Sequence, residues 1–202
     1  WKQHYQPLKT GKKWLVLPAW INSDPSETRT IVRIDPAMAF GTGTHPTTQL
    51  CLLAIEDHLA PHQAVIDLGC GSGILAIAAL KAGASFALAL DTDPLAVQAT
   101  QRNAQLNNVQ ANLQVAQGSL VDILAGNFAL KQAPLVLANI LAPVLVSLFQ
   151  QGLAQLLQPG GRLVLSGILE SQADEVLSAG REAGLGLIQR YQMEDWIALV
   201  MG

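Results

Sequence analysis

Three glycines at alternate positions, Gly69, Gly71 and Gly73, follow an apolar run that contains Asp67. Glycine permits backbone conformations with positive φ and lets the main chain approach a ligand closely. A helix that begins directly after such a loop presents unpaired N–H groups and the positive end of its dipole to an anion. The loop is therefore a candidate binding site for a phosphate or a carboxylate.

The spacing of the glycines distinguishes between two classes of ligand. A dinucleotide-binding loop of the Gly-x-Gly-x-x-Gly type would need glycine at position 74, where this chain has Ile74. Asp67 and the three glycines form instead a pattern typical of methyltransferases, in which the loop surrounds the amino-acid end of S-adenosylmethionine. Asp91 ends the next apolar run, where a carboxylate can accept hydrogen bonds from both ribose hydroxyls. A nicotinamide-dependent oxidoreductase is the less favoured hypothesis.

Asn139 stands directly after the apolar run 135–138, where a polar side chain is unexpected. Burying an amide without hydrogen-bond partners would cost about 1–3 kcal/mol. One explanation is that Asn139 caps the helix that follows. The other, which we favour, is that its carbonyl oxygen accepts an N–H from an amine that is being methylated, so that the nitrogen lone pair points at the sulfonium methyl group. Asn139 is therefore the predicted catalytic residue.

A second loop, residues 40–48, contains two glycines, four threonines and His45. Such a flexible, hydroxyl-rich loop can bind the carboxylate or amine of the donor, or it can simply cap the helix that follows. A general-base role for His45 is one hypothesis, although a single loop histidine is more often solvated or a cap. Cys51 and Cys70 are the only cysteines, too few for a disulfide scaffold or a four-cysteine zinc site, so we expect no metal.

These candidate residues lie at the ends of short apolar runs that alternate with longer helical patterns. The alternation predicts an α/β fold with a doubly wound, mostly parallel sheet. In such a sheet, ligands bind outside the carboxyl ends of the strands, where the strand order reverses. We predict strands at 64–68, 86–90, 113–116, 135–138, 162–166, 185–191 and 196–201, and helices at 74–82, 94–106 and 143–157.

The chain has 202 residues, of which half are apolar and 13% are charged, a composition that favours one folded domain over a disordered chain. Residues 34–202 carry six basic and thirteen acidic side chains, and this net charge of −7 argues against binding to duplex nucleic acid. The longest weakly polar stretch, 134–149, has 16 residues, whereas a membrane span needs about 20. We therefore expect a cytoplasmic protein that contacts neither membranes nor nucleic acids.

The first 33 residues differ in composition from the rest of the chain. They contain three of the four tryptophans and six of the twelve lysines and arginines. Basic and aromatic residues together can attract and stack on a nucleic acid, but we favour a linker whose rings pack on the following domain, because a net charge of +4 is small. We assign 1–33 to a linker or N-terminal extension and 34–202 to the catalytic domain, and we expect the chain to be a piece of a longer protein.

Five segments, taken together, resemble the ribosomal large-subunit protein L11 methyltransferase (PrmA) family; they are 39–48, 65–75, 91–94, 138–142 and 166–169. The first loop and the Asn-Ile-Leu element are specific to the family, whereas many methyltransferases share the glycine loop. The resemblance implies the Rossmann-like, seven-stranded sheet of class I methyltransferases and binding of S-adenosylmethionine. The donor-binding positions that it implies are Thr48, Gly69, Asp91 and Asn139, with Phe40 as a wall beside the donor and Gly71 and Thr92 nearby.

One position departs from the pattern of related enzymes. Many of them place an acid after the third strand to bind the adenine amino group, where this chain has Gly118 and Ser119. Asp122 is a second candidate for that contact, although not one that we favour.

The resemblance implies an enzyme that transfers methyl groups from S-adenosylmethionine to α-amino and lysine ε-amino groups of a ribosomal large-subunit protein, and we expect the protein to be a monomer. Members of the family carry a small N-terminal α/β domain that grips the ribosomal protein, and we expect that domain to be missing here. Two alternatives stay open: a donor-binding module that is inactive without that domain, and a methyltransferase that acts on RNA or a small molecule. Since only a neutral amine has a lone pair for attack, we expect positioning, desolvation and loss of the proton to water to carry the reaction.

Overall fold

The computed structural model describes residues 6–35 and 43–202 as ten strands and six α-helices, joined by turns and 3-10 segments. The strands are β1 (Leu8–Thr10), β2 (Trp14–Pro18), β3 (Thr30–Ile34), β4 (Ala64–Leu68), β5 (Phe86–Asp91), β6 (Leu113–Gln117), β7 (Ala133–Asn139), β8 (Leu157–Leu169), β9 (Leu187–Met193) and β10 (Trp196–Met201). The helices are α1 (Pro46–His58), α2 (Ile74–Lys81), α3 (Pro94–Leu106), α4 (Leu120–Leu124), α5 (Ala142–Gln150) and α6 (Ala173–Glu182). None of these helices has the length and apolar composition needed to cross a membrane.

Seven strands form the main sheet, in the order β6-β5-β4-β7-β8-β10-β9. The pairs from β6 to β8 are parallel, and β10 pairs antiparallel with both β8 and β9. The strand order reverses between β4 and β7, because β5 and β6 lie on one side of β4 and the later strands lie on the other. The predicted α/β fold with a doubly wound, Rossmann-like and mostly parallel sheet is confirmed.

Alternate residues of the central strands enter two hydrophobic clusters, one on each face of the sheet. In β4, Val65 belongs to the cluster that includes residues of α1 and α2, whereas Ile66 and Leu68 belong to the cluster that includes residues of α4, α5 and α6. Strands β5 and β7 alternate in the same way. Because both faces are covered, these strands are mostly apolar, with polar side chains only at Asp67 and at the strand ends Asp91 and Asn139, which is why they were predictable as apolar runs.

The structure differs from the predicted elements between residues 150 and 162. The apolar pattern predicted one helix over 143–157, but α5 ends at Gln150 and the segment Leu153–Leu156 is a 3-10 turn. Gly152 has a φ of 104°, which is outside the helical range. Strand β8 then begins at Leu157, earlier than the predicted start at 162. The helix and the turn both bury apolar side chains, so periodicity alone could not locate the boundary.

Residues 8–34 contribute a separate three-stranded sheet, in the order β1-β2-β3, that sequence patterns did not predict. Trp14 of β2 is fully buried, and its indole Nε1–H donates to the backbone oxygen of Leu52 in α1 at 2.8 Å. The Glu56 carboxylate of the same helix accepts the backbone N–H groups of Lys12 and Lys13. These contacts attach the small sheet to α1, and the domain boundary between residues 33 and 34, which falls within β3, stays a prediction.

Trp14→Phe should lower the free energy of unfolding by about 2 kcal/mol, because the variant loses a buried hydrogen bond and leaves a small cavity. Leu8→Ile is the control at a partly buried position of the same small sheet, and this swap at nearly constant volume should change the free energy of unfolding by less than about 1 kcal/mol. Urea denaturation measures both values. Equal losses in the two variants would contradict the anchoring role of Trp14.

Candidate active site

A cavity of about 560 Å³ opens at the carboxyl ends of the parallel strands, where the strand order reverses. Six strands of the main sheet contribute lining residues in sheet order: Gly118 and Ser119 after β6, Asp91 and Thr92 at β5, Leu68, Gly69 and Gly71 at β4, Asn139, Ile140 and Leu141 at β7, Gly167 in β8, and Trp196 in β10. His45, Thr47, Leu120, Val144 and Leu148 complete the lining. The volume is in the range of small-molecule sites.

The structure brings most of the predicted site residues together in this cavity. Five of them line it: Gly69, Gly71, Asp91, Thr92 and Asn139. Thr48 is fully buried and lies behind the wall. Phe40 lies outside the described residues. The binding roles of all seven residues stay predictions.

The glycine loop has a backbone that other residues could not adopt without strain. Gly69, Gly71 and Gly73 have φ values of 68°, 54° and 79°. A Cβ at position 69 would lie 2.9 Å from the Ile140 side chain, and one at position 73 would lie 2.6 Å from the Thr100 side chain. Both the left-handed conformation and the close approach of neighbours therefore require glycine at these positions.

Asp91 connects the glycine loop after β4 to the turn that follows its own strand, β5. Its Oδ2 accepts the N–H of Gly71 at 2.9 Å, and its Oδ1 accepts the N–H of Asp93 at 3.0 Å. Each carboxylate oxygen has capacity for a further hydrogen bond, and a carboxylate can only accept. The side chain lines the cavity, so it can receive two hydroxyl donors there.

Asp67 lies beneath the glycine loop and does not line the cavity. It is almost completely buried, and its Oδ2 accepts the N–H of Ala76 in the first turn of α2 at 3.1 Å. Burial raises the pKa of this carboxyl to about 7, the hydrogen bond from Ala76 opposes that shift, and the charge of Asp91 adds to it. Asp67 is therefore a positioning residue that ties β4 to α2 on either side of the loop.

Asn139 lines the cavity at the end of β7, and its Nδ2 donates to the Oγ1 of Thr48 at 3.4 Å. In this orientation its carbonyl oxygen Oδ1 accepts no hydrogen bond from the residues that the structure describes, so it can accept one from a ligand. The capping explanation is not supported, because the N-cap of α5 is Leu141 and no side chain caps that helix. The end of β7 and the start of α1, each of which contains a predicted site residue, thus meet at the pair Asn139–Thr48.

His45 is the N-cap of α1 and lines the cavity next to Trp196. Its Nδ1 accepts the N–H of Thr47 at 3.3 Å and lies 2.8 Å from the Thr47 hydroxyl. A neutral imidazole that accepts at Nδ1 carries its proton at Nε2 and has no second lone pair for an amine proton. The geometry therefore favours the capping role of His45 over the general-base role. The ring also makes an edge contact with Trp196, with 4.8 Å between centroids.

Asp122 has a local structural role. Its Oδ2 accepts the N–H and the hydroxyl of Ser119 at 2.8 and 2.9 Å, which closes a capping box at the start of α4. These bonds, led by the backbone N–H of Ser119, lower the pKa of Asp122. Ser119 lines the cavity and Asp122 does not, so the adenine contact considered for Asp122 is not favoured.

Sequence reasoning assigned no role to the six lining residues that follow Asn139 in the chain: Ile140, Leu141, Val144, Leu148, Gly167 and Trp196. Gly167 lies within the family segment 166–169. Its φ is 83°, and a Cβ there would overlap the backbone carbonyl of Ile140. A glycine within a predicted strand is a signal of close backbone approach that could have identified this position.

The whole chain, residues 1–202, matches the family model described as ribosomal protein L11 methyltransferase (PrmA). A protein of that name from Geobacillus thermodenitrificans is 43% identical over 201 residues, and the match covers 99% of this chain and 62% of the relative. Another from Listeria monocytogenes is 40% identical over 200 residues, with the same coverage of both proteins. The chain thus spans less than two thirds of the length of these curated relatives.

Solved structures give the same picture of the fold. The crystal structure of the ribosomal protein L11 methylase from Lactobacillus delbrueckii subsp. bulgaricus has a TM-score of 0.86 and 33% identity, with 98% of each chain covered. A putative methyltransferase complexed with SAH has a TM-score of 0.65 and 14% identity, with 79% of this chain and 50% of the other covered. At that identity the second match shows the fold alone.

Gly167→Ala should lower the free energy of unfolding by about 3 kcal/mol. The alanine would have to adopt a left-handed backbone conformation, and its Cβ would displace the backbone of Ile140. Gly184→Ala is the matched control: its φ is 88°, but nothing lies within 4 Å of the added Cβ, so we expect a loss of only about 1 kcal/mol. Urea denaturation again gives both values. If the two variants lose the same stability, the contact between Gly167 and Ile140 is not a constraint on the site.

Proposed function

The chain belongs to the ribosomal protein L11 methyltransferase family, and on that basis we propose that it transfers methyl groups from S-adenosylmethionine to amino groups of ribosomal protein L11. The observation that carries the proposal is the meeting of Asp91, the glycine loop and Asn139 in one cavity at the reversal of strand order. The names of the relatives favour a protein substrate over RNA or a small molecule.

The described lining of the cavity fits this donor. Asp91 has acceptor capacity for the two ribose hydroxyls, beyond the two backbone N–H groups that it already holds. The loop from Gly69 to Gly73 has no side chain at its glycines to block the amino-acid end, and Leu120 offers an apolar surface to a flat heterocycle. Thr92, Thr48 and Phe40 belong to the proposed donor site on the resemblance to the family.

Asn139 positions the amine that accepts the methyl group. Its Oδ1 accepts an N–H from that amine, which orients the nitrogen lone pair and places a partial negative charge beside the nitrogen as it becomes positive. Thr48 holds the Asn139 amide in place from behind. When bound, S-adenosylmethionine supplies an activated methyl group: the lone pair forms the new N–C bond while the S–C bond breaks and leaves its electron pair on sulfur.

The proposal assigns no protein base to this reaction. His45 is occupied as a helix cap, so the amine loses its proton to water before attack. An α-amine has a pKa of about 8 and a lysine of about 10.4, so the lysine carries the larger deprotonation cost at neutral pH. We further propose that the protein acts in the cytoplasm as a monomer, without direct contact with nucleic acid.

Asn139→Ala should reduce kcat for methyl transfer to ribosomal protein L11 about 100-fold, the size of the loss when one preorganised polar contact at a reacting centre is removed. The affinity for S-adenosylmethionine, measured by calorimetric titration, should change less than about threefold. Asn112→Ala, at an exposed site outside the cavity lining, should leave both values unchanged. Turnover that stays within about twofold of the unmodified protein would show that Asn139 does not position the amine.

Asp91→Asn should weaken S-adenosylmethionine binding about 10- to 100-fold, because an amide replaces one acceptor oxygen with a donor group. Asp93→Asn is the matched control, since Asp93 is the N-cap of α3 and Asn caps a helix as well as Asp does. The affinity of the Asp93→Asn variant for S-adenosylmethionine should stay unchanged. Titration with NAD tests the competing hypothesis: tighter binding of NAD than of S-adenosylmethionine to the unmodified chain would overturn the proposed function.

A further inference from the structure

The polarity of the cavity lining differs between the two sides of the main sheet's edge. The half formed by β6, β5 and β4 carries the carboxylate of Asp91 and the hydroxyls of Thr92 and Ser119. The half formed by β7, β8, β10 and α5 carries one amide, that of Asn139, among residues that are otherwise apolar or aromatic: Ile140, Leu141, Val144, Leu148, Gly167 and Trp196. We call this second half the acceptor half.

Within the described residues, no carboxylate lines the acceptor half. The titratable groups among the described lining residues are Asp91, which lies at β5, and His45, whose Nδ1 accepts the N–H of Thr47. Helix α5 has no charged residue, and positions 36–42 of the sequence carry none either. An ammonium group that entered this half would give up part of its water to these apolar side chains without gaining a counter-ion.

The acidic groups of the elements next to the acceptor half lie outside the lining. Glu194 and Asp195 are exposed and directly precede Trp196, and Glu170 follows β8. Glu170 is paired with Arg190, with 3.1 Å between the charged atoms. Near the C-terminal end of α1, the Glu56 carboxylate accepts the backbone N–H groups of Lys12 and Lys13, and the Asp57 carboxylate accepts the Tyr191 hydroxyl. These carboxylates attract a cation toward the protein, but none of them lines the cavity.

We infer that the acceptor half selects the neutral form of the substrate amine together with its aliphatic stem, and that Leu141 and Val144 determine this selectivity. The inference rests on the proposed function and extends it to the protonation state of the substrate. Desolvation without a counter-ion disfavours the charged form, so binding lowers the pKa of the amine and the proton leaves to water. The amide of Asn139 then accepts one of the remaining N–H groups.

The selection matters most for a lysine. At pH 7 a free lysine with a pKa of about 10.4 is neutral in roughly one molecule in 2,500, and each unit by which its pKa falls raises that fraction about tenfold. A cavity wall without charge can therefore accelerate the reaction while no residue acts as a base.

At position 144, a comparison of an Asp variant with an Asn variant changes the charge of the cavity wall at nearly the same side-chain shape. Val144 is 44% exposed and occupies the first turn of α5, where the helix dipole favours a carboxylate. Val144→Asp and Val144→Asn are nearly isosteric and differ in one negative charge. Ile188→Asp is the control for added charge alone, since Ile188 is 43% exposed on strand β9 and does not line the cavity.

The first readout is the rate of methyl transfer to purified ribosomal protein L11 as a function of pH, at saturating S-adenosylmethionine. Val144→Asp should shift the profile upward by about one pH unit relative to Val144→Asn, so that transfer at pH 7 falls about tenfold. Ile188→Asp should leave the profile unshifted, and none of the three variants should change the affinity for the donor.

The second readout does not depend on turnover. Calorimetric titration of the complex with S-adenosylhomocysteine by ribosomal protein L11, in two buffers with different ionisation enthalpies, counts the protons released on binding. The unmodified protein and Val144→Asn should release a proton at pH 7, and Val144→Asp should release fewer. Leu141→Asp and Leu141→Asn provide a second pair, because Leu141 is the N-cap of α5 and both residues are good caps.

Identical pH profiles and proton counts for the Asp and Asn variants would overturn the inference while leaving the proposed function intact. Faster transfer at pH 7 by Val144→Asp would overturn it as well, since it would show that the cavity binds the ammonium form. If the unmodified protein transfers no methyl group to ribosomal protein L11 at any pH, the proposed function itself fails, and the inference fails with it.

Discussion

The parallel pairing of β4 with β5 on one side and with β7 on the other determines where this protein can bind a ligand. Asp67 of β4 stands opposite Ala89 of β5 and Leu137 of β7, so the three carboxyl ends are level with one another. The chain leaves β4 toward α2 on one face and leaves β7 toward α5 on the other. The cavity lies between the loop that follows β4 and the loop that follows β7. It cannot close without breaking the buried backbone hydrogen bonds of the sheet.

The loops at this edge depend on the sheet for their conformation. The N–H of Gly69 donates to the Leu90 oxygen, which extends the pairing of β4 and β5 past the end of the strand. Below the loop, the buried carboxylate of Asp67 holds α2, although burial raises its pKa and so disfavours its charge at neutral pH. Glycine loses more backbone entropy on folding than other residues do, and a buried carboxylate loses its hydration, so both reduce stability; they persist because the surrounding core determines their positions.

The polarity of the cavity agrees with a reaction that needs no protein base. Its β5 side carries the acceptor carboxylate of Asp91, which suits hydroxyl donors. Its β7 side carries a single amide, held by Thr48, in a wall of aliphatic and aromatic groups. Under the proposed function the same edge therefore combines a polar site for the methyl donor with an apolar site for the amine. The different needs of the two groups explain why the lining is divided.

The sequence by itself determined the features that arise between near neighbours in the chain. The central strands were predictable because burial on both faces makes them mostly apolar, and the glycine loop was recognisable because left-handed backbone needs glycine. Tertiary structure alone decided the rest: that Thr48 lies behind Asn139, that Trp14 anchors a small sheet on α1, and that Gly167 and Trp196 line the cavity. Residues this far apart in the chain meet only through strand order and register, which local periodicity does not encode.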